Sequence, residues 1–393
     1  MAPMRFGSFV APFHPAGVNP TAALEDDLGL VEHLDRLGYD EVWVGEHHSA
    51  GTEIISSPEI FLAAALSRTH RITLATGVIS ASYHNPLWVA ERAIQLDHMS
   101  RGRFVLGLGP GALPSDAAMI GLDMKDTRNL LEDAVEVITQ LIRSDEPVTF
   151  ANARWDLREA RTHLAPYSEG GPEIVIAAVA SPSGPRLAGR YGHGLLSLGL
   201  STEAGFDALG EHWGVMEERA EHYGATVDRG AWRLVGQMHL AETREQAVRE
   251  VAYGIETFND YNQNTAGFAV KGVGDSLGSV EELAEAVNES GLGVIGTPDD
   301  AIALIERVWE QSRGGFGCYL LMAHSWASPA DTLHSHELFA RHVMPHFQGQ
   351  GTATMASRAR ARTARAAFVQ DSFAGVEMVM KKYQDELNAK PGN

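Results

Sequence analysis

Short apolar runs alternate with amphipathic stretches through most of the chain. The runs at 5–13 (RFGSFVAPF), 39–48 (YDEVWVGEHH), 71–80 (RITLATGVIS), 102–111 (GRFVLGLGPG), 172–181 (PEIVIAAVAS), 193–199 (HGLLSLG), 232–242 (WRLVGQMHLAE) and 316–324 (FGCYLLMAH) predict eight strands. Between and after them, apolar residues return at helical spacing over 21–38, 57–70, 85–100, 128–143, 206–224, 244–258, 297–315 and 330–347, with a further helix from SPSGPRLAGRYG. Strands that alternate with helices imply parallel pairing through right-handed crossovers. Eight such units favour a closed (β/α)8 TIM barrel over an open doubly wound sheet.

The rhythm breaks at two places. Residues 147–166 alternate as a small antiparallel excursion after strand 4, and 259–296, rich in Gly and Asn, read as a long irregular insertion after strand 7. No Pro, Gly or Ser-rich linker divides the chain, so residues 1–350 are expected to form one barrel domain and 351–393 a C-terminal helical extension.

Composition narrows the class. Apolar residues make up 44% of 393 positions, enough for a large core, and the net charge is −20. Without a basic stripe a nucleic-acid partner is excluded; the short run Arg358–Arg365 reads as part of an exposed terminal helix. One cysteine, Cys318, permits no intrachain disulfide, and its apolar surroundings suggest an inert buried thiol. The N-terminus lacks a secretory layout and no apolar stretch is long enough to span a membrane, so a cytoplasmic address is expected.

In a barrel of this kind, chemistry collects at the carboxyl ends of the strands. The first strand ends at Phe13 and His14, and the second at Glu46, His47 and His48. The third offers Gly77, Tyr83 and His84; the fourth Gly107, Gly109 and Gly111; the eighth runs through Met322 to Trp326. No cluster has a zinc-site spacing, so no metal is expected. At 180–186 (ASPSGPR), Ser181, Ser183 and Gly184 lie where a strand turns into a helix; the stretch reads either as an anion site or as an N-cap turn.

Taken in order, APFHP (11–15), LGYDEVWVGEHHS (37–49), ATGVISASYHNP (75–86), DHMSRGRFVLGLGPGALPSD (97–116) and ASPSGPR (180–186) resemble the bacterial luciferase-like flavin monooxygenases, especially the limonene monooxygenase branch. The resemblance covers most of 4–347. It implies a luciferase-like barrel that uses reduced FMN from a separate flavin reductase, commonly as a homodimer. By the same resemblance His47 matches the family's catalytic imidazole, with Glu46 orienting it or approaching the ring. Gly77 and Val78 match a bulge with a non-prolyl cis peptide behind the flavin, and Ser181 and Gly184 match phosphate contacts, with Ser183 between them. The luciferase alpha chain has an arginine where this chain has Pro110 and a glutamate where it has Ala180, so phosphate binding here leans on backbone amides, serines and Arg186.

The resemblance implies oxygenation of a small apolar substrate (a terpene, aldehyde or ketone) by O2 through a flavin C4a-(hydro)peroxide, kept from water by Phe13, Trp43, Tyr83, Met322 and Trp326. A neutral His47 imidazole would steady or protonate the peroxide. Phe13, His14, His48, Tyr83, His84, Met322 and Trp326 are the candidate substrate-side residues. For His48 a structural hydrogen bond to backbone is the alternative. At the level of function, the alternatives are an F420-dependent dehydrogenase on the same fold and a non-catalytic flavin-binding subunit.

Overall fold

The computed structural model describes residues 3–11, 13–198, 203–266, 278–323 and 325–389. Its centre is a closed barrel of eight parallel strands: β1 Arg5–Val10, β2 Glu41–Val44, β3 Thr73–Thr76, β4 Phe104–Gly109, β5 Glu173–Ala178, β6 Gly194–Ser197, β7 Trp232–Leu240 and β8 Cys318–Ala323. Each pairs with its sequence neighbours, β6 with β7 included, and β8 returns to β1, which closes the ring. The barrel is therefore the expected α/β architecture. The strands are shorter than their apolar runs because the runs continue into the loops at the mouth.

Alternate residues of the strands point inward. Phe9, Trp43, Ala75, Val105, Val175, Leu196, Val235, Cys318, Leu320 and Met322 fill the barrel interior, and the outward residues pack on the helices. Gly107 has a packing reason: a Cβ there would overlap the Thr76 carbonyl of the neighbouring strand. The first helix, Pro20–Leu37, is opened by Asn19 and closed by Gly38 in the left-handed conformation.

The excursion after β4 is a two-stranded antiparallel hairpin, Val148–Ala151 with Asp156–Ala160. The insertion after β7 is not irregular as its composition suggested. It holds helices Ile255–Tyr261 and Val280–Ser290, a π-helical turn Asn262–Ala266, and a strand Gly293–Gly296 that pairs with β7; its stretch 267–277 lies outside the described residues. The expected helix 244–258 is split, with a first part Arg244–Val251. The break falls at Gly254, whose backbone docks on the loop after β8 so closely that a Cβ would overlap the Ser325 carbonyl. Its N–H donates to the Trp326 carbonyl at 2.9 Å.

This insertion has a core of its own. Phe258, Tyr261, Ile255, Leu283 and Val287 pack with Phe13 from the β1 loop and Trp326 from the β8 loop. Its residues are separate from both the barrel interior and the helix layer.

The chain forms two compact units, Met1–Phe347 and Gln348–Asn393. The second consists of helices Thr352–Thr363 and Arg365–Asn388, neither with a buried residue. Among the described residues no helix is long and apolar enough to cross a membrane.

Candidate active site

The loop that follows β2 carries the cluster Glu46, His47 and His48. Glu46 is buried, at 4% exposure. Its Oε1 accepts from His48 Nε2 and from His84 Nε2, each at 2.7 Å, and its Oε2 accepts from the Ser80 backbone N–H at 2.8 Å. Burial opposes the charge, but the bonds from His48 and His84 outweigh it and draw the carboxyl down to about 2. The His48 imidazole is raised by the same Glu46 bond, against a smaller opposing effect of burial. Glu46 thus holds His48 and His84, not His47, and the ring of His48 is bonded to a side chain and not to backbone. Ligand atoms of these three residues lie within 4.8 Å of one another, so a metal ion would have to replace both imidazole bonds to Glu46.

His47 points to a different pair of acids. Its Nδ1 lies 3.1 Å from Asp116 Oδ2, and its Nε2 lies 3.0 Å from Glu53 Oε2. Burial works against a proton on this ring, but the hydrogen bonds to Asp116 and Glu53 win and push it up to about 10. The neutral imidazole expected from the sequence is therefore corrected: His47 is an imidazolium near neutral pH, with both N–H groups engaged. Asp116 is in turn drawn down, since bonds from His47 and Ser49 overcome its burial. It also accepts from the His48 backbone N–H at 3.1 Å, and Ser49 Oγ donates to it.

Asp116 and Glu53 were not singled out from the sequence. Asp116 lies in the first turn of a short helix, Pro114–Met119, where an acid is unremarkable in sequence. Glu53 sits in the β2 loop and is reached from outside the loop by Tyr261, whose hydroxyl donates to Oε2 at 2.8 Å. Burial and Glu53 hold that phenol well above its ordinary range.

The remaining candidates divide into four environments. Tyr83 packs its ring 6.1 Å from that of His48, and burial, with Asp116 and Glu46, raises its phenol to about 12; its hydroxyl is buried with no hydrogen-bond partner. His14 turns away to Asp27, with Nε2 to Oδ2 at 3.0 Å. Phe13 and Trp326 are 2% and 3% exposed inside the insertion core, and Met322 belongs to the barrel interior.

Two features bear on flavin. The Gly77–Val78 peptide is cis, and it interrupts the third strand before a short pairing of Ile79–Ser80 with β4. Further round the barrel, helix Ser183–Tyr191 starts after Pro182 with no side chain capping its first amides. Ser181 and Ser183 bond to each other there through their hydroxyls at 2.8 Å, and Gly184 lets the helix start lie against the end of β5. Uncapped amides and two hydroxyls suit a phosphate, and at Gly77, which has no room for a Cβ against Trp43 and Phe9, the strand end stays bare. The residues present fit a phosphate-bearing flavin.

Comparison with known proteins agrees with this picture. The luciferase-like monooxygenase family matches residues 4–314. A limonene 1,2-monooxygenase from Rhodococcus erythropolis is 47% identical over 345 residues, 88% of this chain and 87% of its own. A 4-hydroxyprotoasukamycin monooxygenase from Streptomyces nodosus subsp. asukaensis is 40% identical, over 91% of this chain and 96% of its own. Among solved structures, the oxygenating constituent of 3,6-diketocamphane monooxygenase from Pseudomonas putida, in complex with FMN, superposes with a TM-score of 0.70 at 24% identity, covering 87% of this chain and 98% of its own; that likeness speaks to the fold.

Proposed function

The chain belongs to the luciferase-like monooxygenases, and from that premise we propose that it oxygenates a small apolar molecule of terpene, aldehyde or ketone type, using O2 and reduced FMN delivered by a separate flavin reductase. Work as a cytoplasmic homodimer is part of the same reading. The observation that carries it is the His47 imidazolium held between Asp116 and Glu53 at the barrel mouth.

Bound reduced FMN supplies the electron pair and activates dioxygen. The protein's share is binding, shielding and proton placement. Ser181, Ser183, Gly184 and the free amides of their helix would take the phosphate, and Gly77, Val78, Gly107 and Gly109 would form the wall against which the ring lies. Phe13, Trp326 and Met322 form apolar backing that keeps water from the reacting atoms. His47 holds a proton on each nitrogen. Asp116 fixes Nδ1, so Nε2 is the atom that can release Glu53 and offer its proton to developing negative charge. Glu46 stays ionised and steadies His48 and His84 beside Tyr83 on the substrate side.

The test is His47→Ala, assayed as product formed per reduced FMN consumed. FMN binding should persist while coupled product falls by about 10²-fold or more. Normal coupling in the variant would remove His47 from the mechanism. Reduction of F420 by an alcohol would favour the dehydrogenase alternative, and flavin binding without any turnover the non-catalytic one.

A further inference from the structure

One oxygen atom ties the insertion after β7 to the residue that carries the proton. Glu53 Oε2 accepts from Tyr261 at 2.8 Å and faces His47 Nε2 at 3.0 Å. Tyr261 is the last residue of helix Ile255–Tyr261, and its ring lies 5.3 Å from that of Phe13. Phe13 in turn forms an isolated antiparallel bridge with Glu53. So the helix grips Glu53 twice, once by a hydrogen bond to the carboxylate and once by packing on the residue bridged to its backbone. Among the described residues, His47 and Tyr261 are the side chains bonded to that carboxylate.

We propose that Glu53 and Tyr261 are positioning residues for His47, and that the insertion helix acts through them to keep the Nε2 proton parked until the mouth is occupied. This rests on the reading of His47 as the proton-bearing imidazole. A ligand that presses on the insertion core shifts Tyr261, Tyr261 draws Glu53 with it, and Nε2 is released for use. Asp116, on a separate helix, holds Nδ1 throughout. The groups whose charge bears on His47 are therefore Asp116 and Glu53 directly, with Glu46, His48 and Tyr83 in the adjoining network and Tyr261 behind Glu53.

The experiment is a histidine side-chain NMR titration of the full chain without flavin, with the His47 signal assigned by His47→Gln. In the parent protein the midpoint should lie near 10. In Glu53→Gln it should fall by roughly 1–3 pH units, the usual worth of one adjacent opposite charge. Tyr261→Phe keeps the ring packed on Phe13 and removes only the donor. If Tyr261 positions Glu53, the carboxylate swings away and the midpoint falls in the same direction by a smaller amount. If the two donors merely share the oxygen, Glu53 becomes the better acceptor for His47 and the midpoint holds or rises, which overturns the proposal. A parent signal that titrates near 6.5, the ordinary histidine value, overturns it as well. The pH profile of coupled oxygenation, measured on the same variants, separates the two readings. Shifted midpoints with no oxygenation in any protein would sink the monooxygenase reading and leave the positioning intact. Normal oxygenation with unmoved midpoints would do the reverse.

Discussion

At the floor of the barrel Arg233 lies fully buried between Glu41 and Glu173; at the mouth His47 lies between Glu53 and Asp116. Both are cations flanked by two carboxylates, and the likeness ends there. The floor is saturated. Arg233 reaches Glu41 through Nε and Nη2 at 3.1 Å each, Glu41 also takes Arg5 at 2.6 Å and the Trp43 indole N–H at 2.8 Å, and the pair holds Glu41 ionised and Arg233 protonated. The mouth uses imidazoles, the one cation type that can give its proton away under mild conditions. Its acids outlie the barrel wall, on loops and a short helix. The floor therefore reads as a fixed plug that ties β1, β2, β5 and β7 together, and the mouth as a store of transferable protons.

The sharpest way to break this comparison is Arg233→Met. Two carboxylates would be left without their shared cation, Glu41 fully buried among them, and the expected cost is about 3–5 kcal/mol in denaturant unfolding. A loss below about 1 kcal/mol would mean that the floor charges are not holding strands together.

Alkaline pH sets the two ends apart without mutation. The His47 proton is raised in the folded state, so its stabilising contribution is complete below about 6.5 and disappears as pH rises through about 10. Arginine stays charged across that range. Hydrogen exchange between pH 7 and 10.5 should accelerate in the 45–56 loop and leave the floor strands unchanged, once the intrinsic base catalysis is divided out. Acid acts differently. Glu46 is depressed to about 2, so its contribution is present above about 4.5 and is lost as pH falls toward 2.

Glu46→Gln is a smaller perturbation. An amide can accept from one imidazole and leaves the second bond weaker, for an expected loss of about 1–3 kcal/mol in thermal unfolding and a lower His48 midpoint by NMR. An unchanged His48 midpoint would show that Glu46 does not govern it. Smallest of all, Ser181→Ala or Ser183→Ala should weaken FMN binding about three- to tenfold each by fluorescence titration, the worth of one hydrogen bond. No change in either variant would move the phosphate elsewhere.

The same contrast shows what the sequence could and could not tell. Barrel strands and their helices are written in local periodicity, so β1 to β8 were legible within a few residues. The loop cluster at 46–48 was legible because three titratable residues end an apolar run. The partners of His47 were not. Asp116 and Glu53 look like an ordinary first-turn acid and an ordinary loop acid, and only the folded chain puts them on one ring. The bond from Tyr261 to Glu53 spans 208 positions and carries no local sign. The Arg233–Glu41 pair spans 192 and hid inside strand patterns for the same reason. The insertion was misread because its Gly and Asn content masked a helix, Val280–Ser290, and a strand, Gly293–Gly296, whose apolar residues pack on residues from distant loops. Phe13 and Trp326 were read as apolar mouth residues, and the core they share with the insertion was not legible.

The most direct test of the proposed activity mixes the protein with reduced FMN and then with oxygen in a stopped-flow instrument. A flavin absorbance species distinct from both the reduced and the oxidised cofactor, lasting far longer than in free solution, is the expected result, since the proposal requires the mouth to exclude water from activated oxygen. Immediate return to oxidised FMN with release of hydrogen peroxide, in the parent protein and in His47→Ala alike, would contradict it.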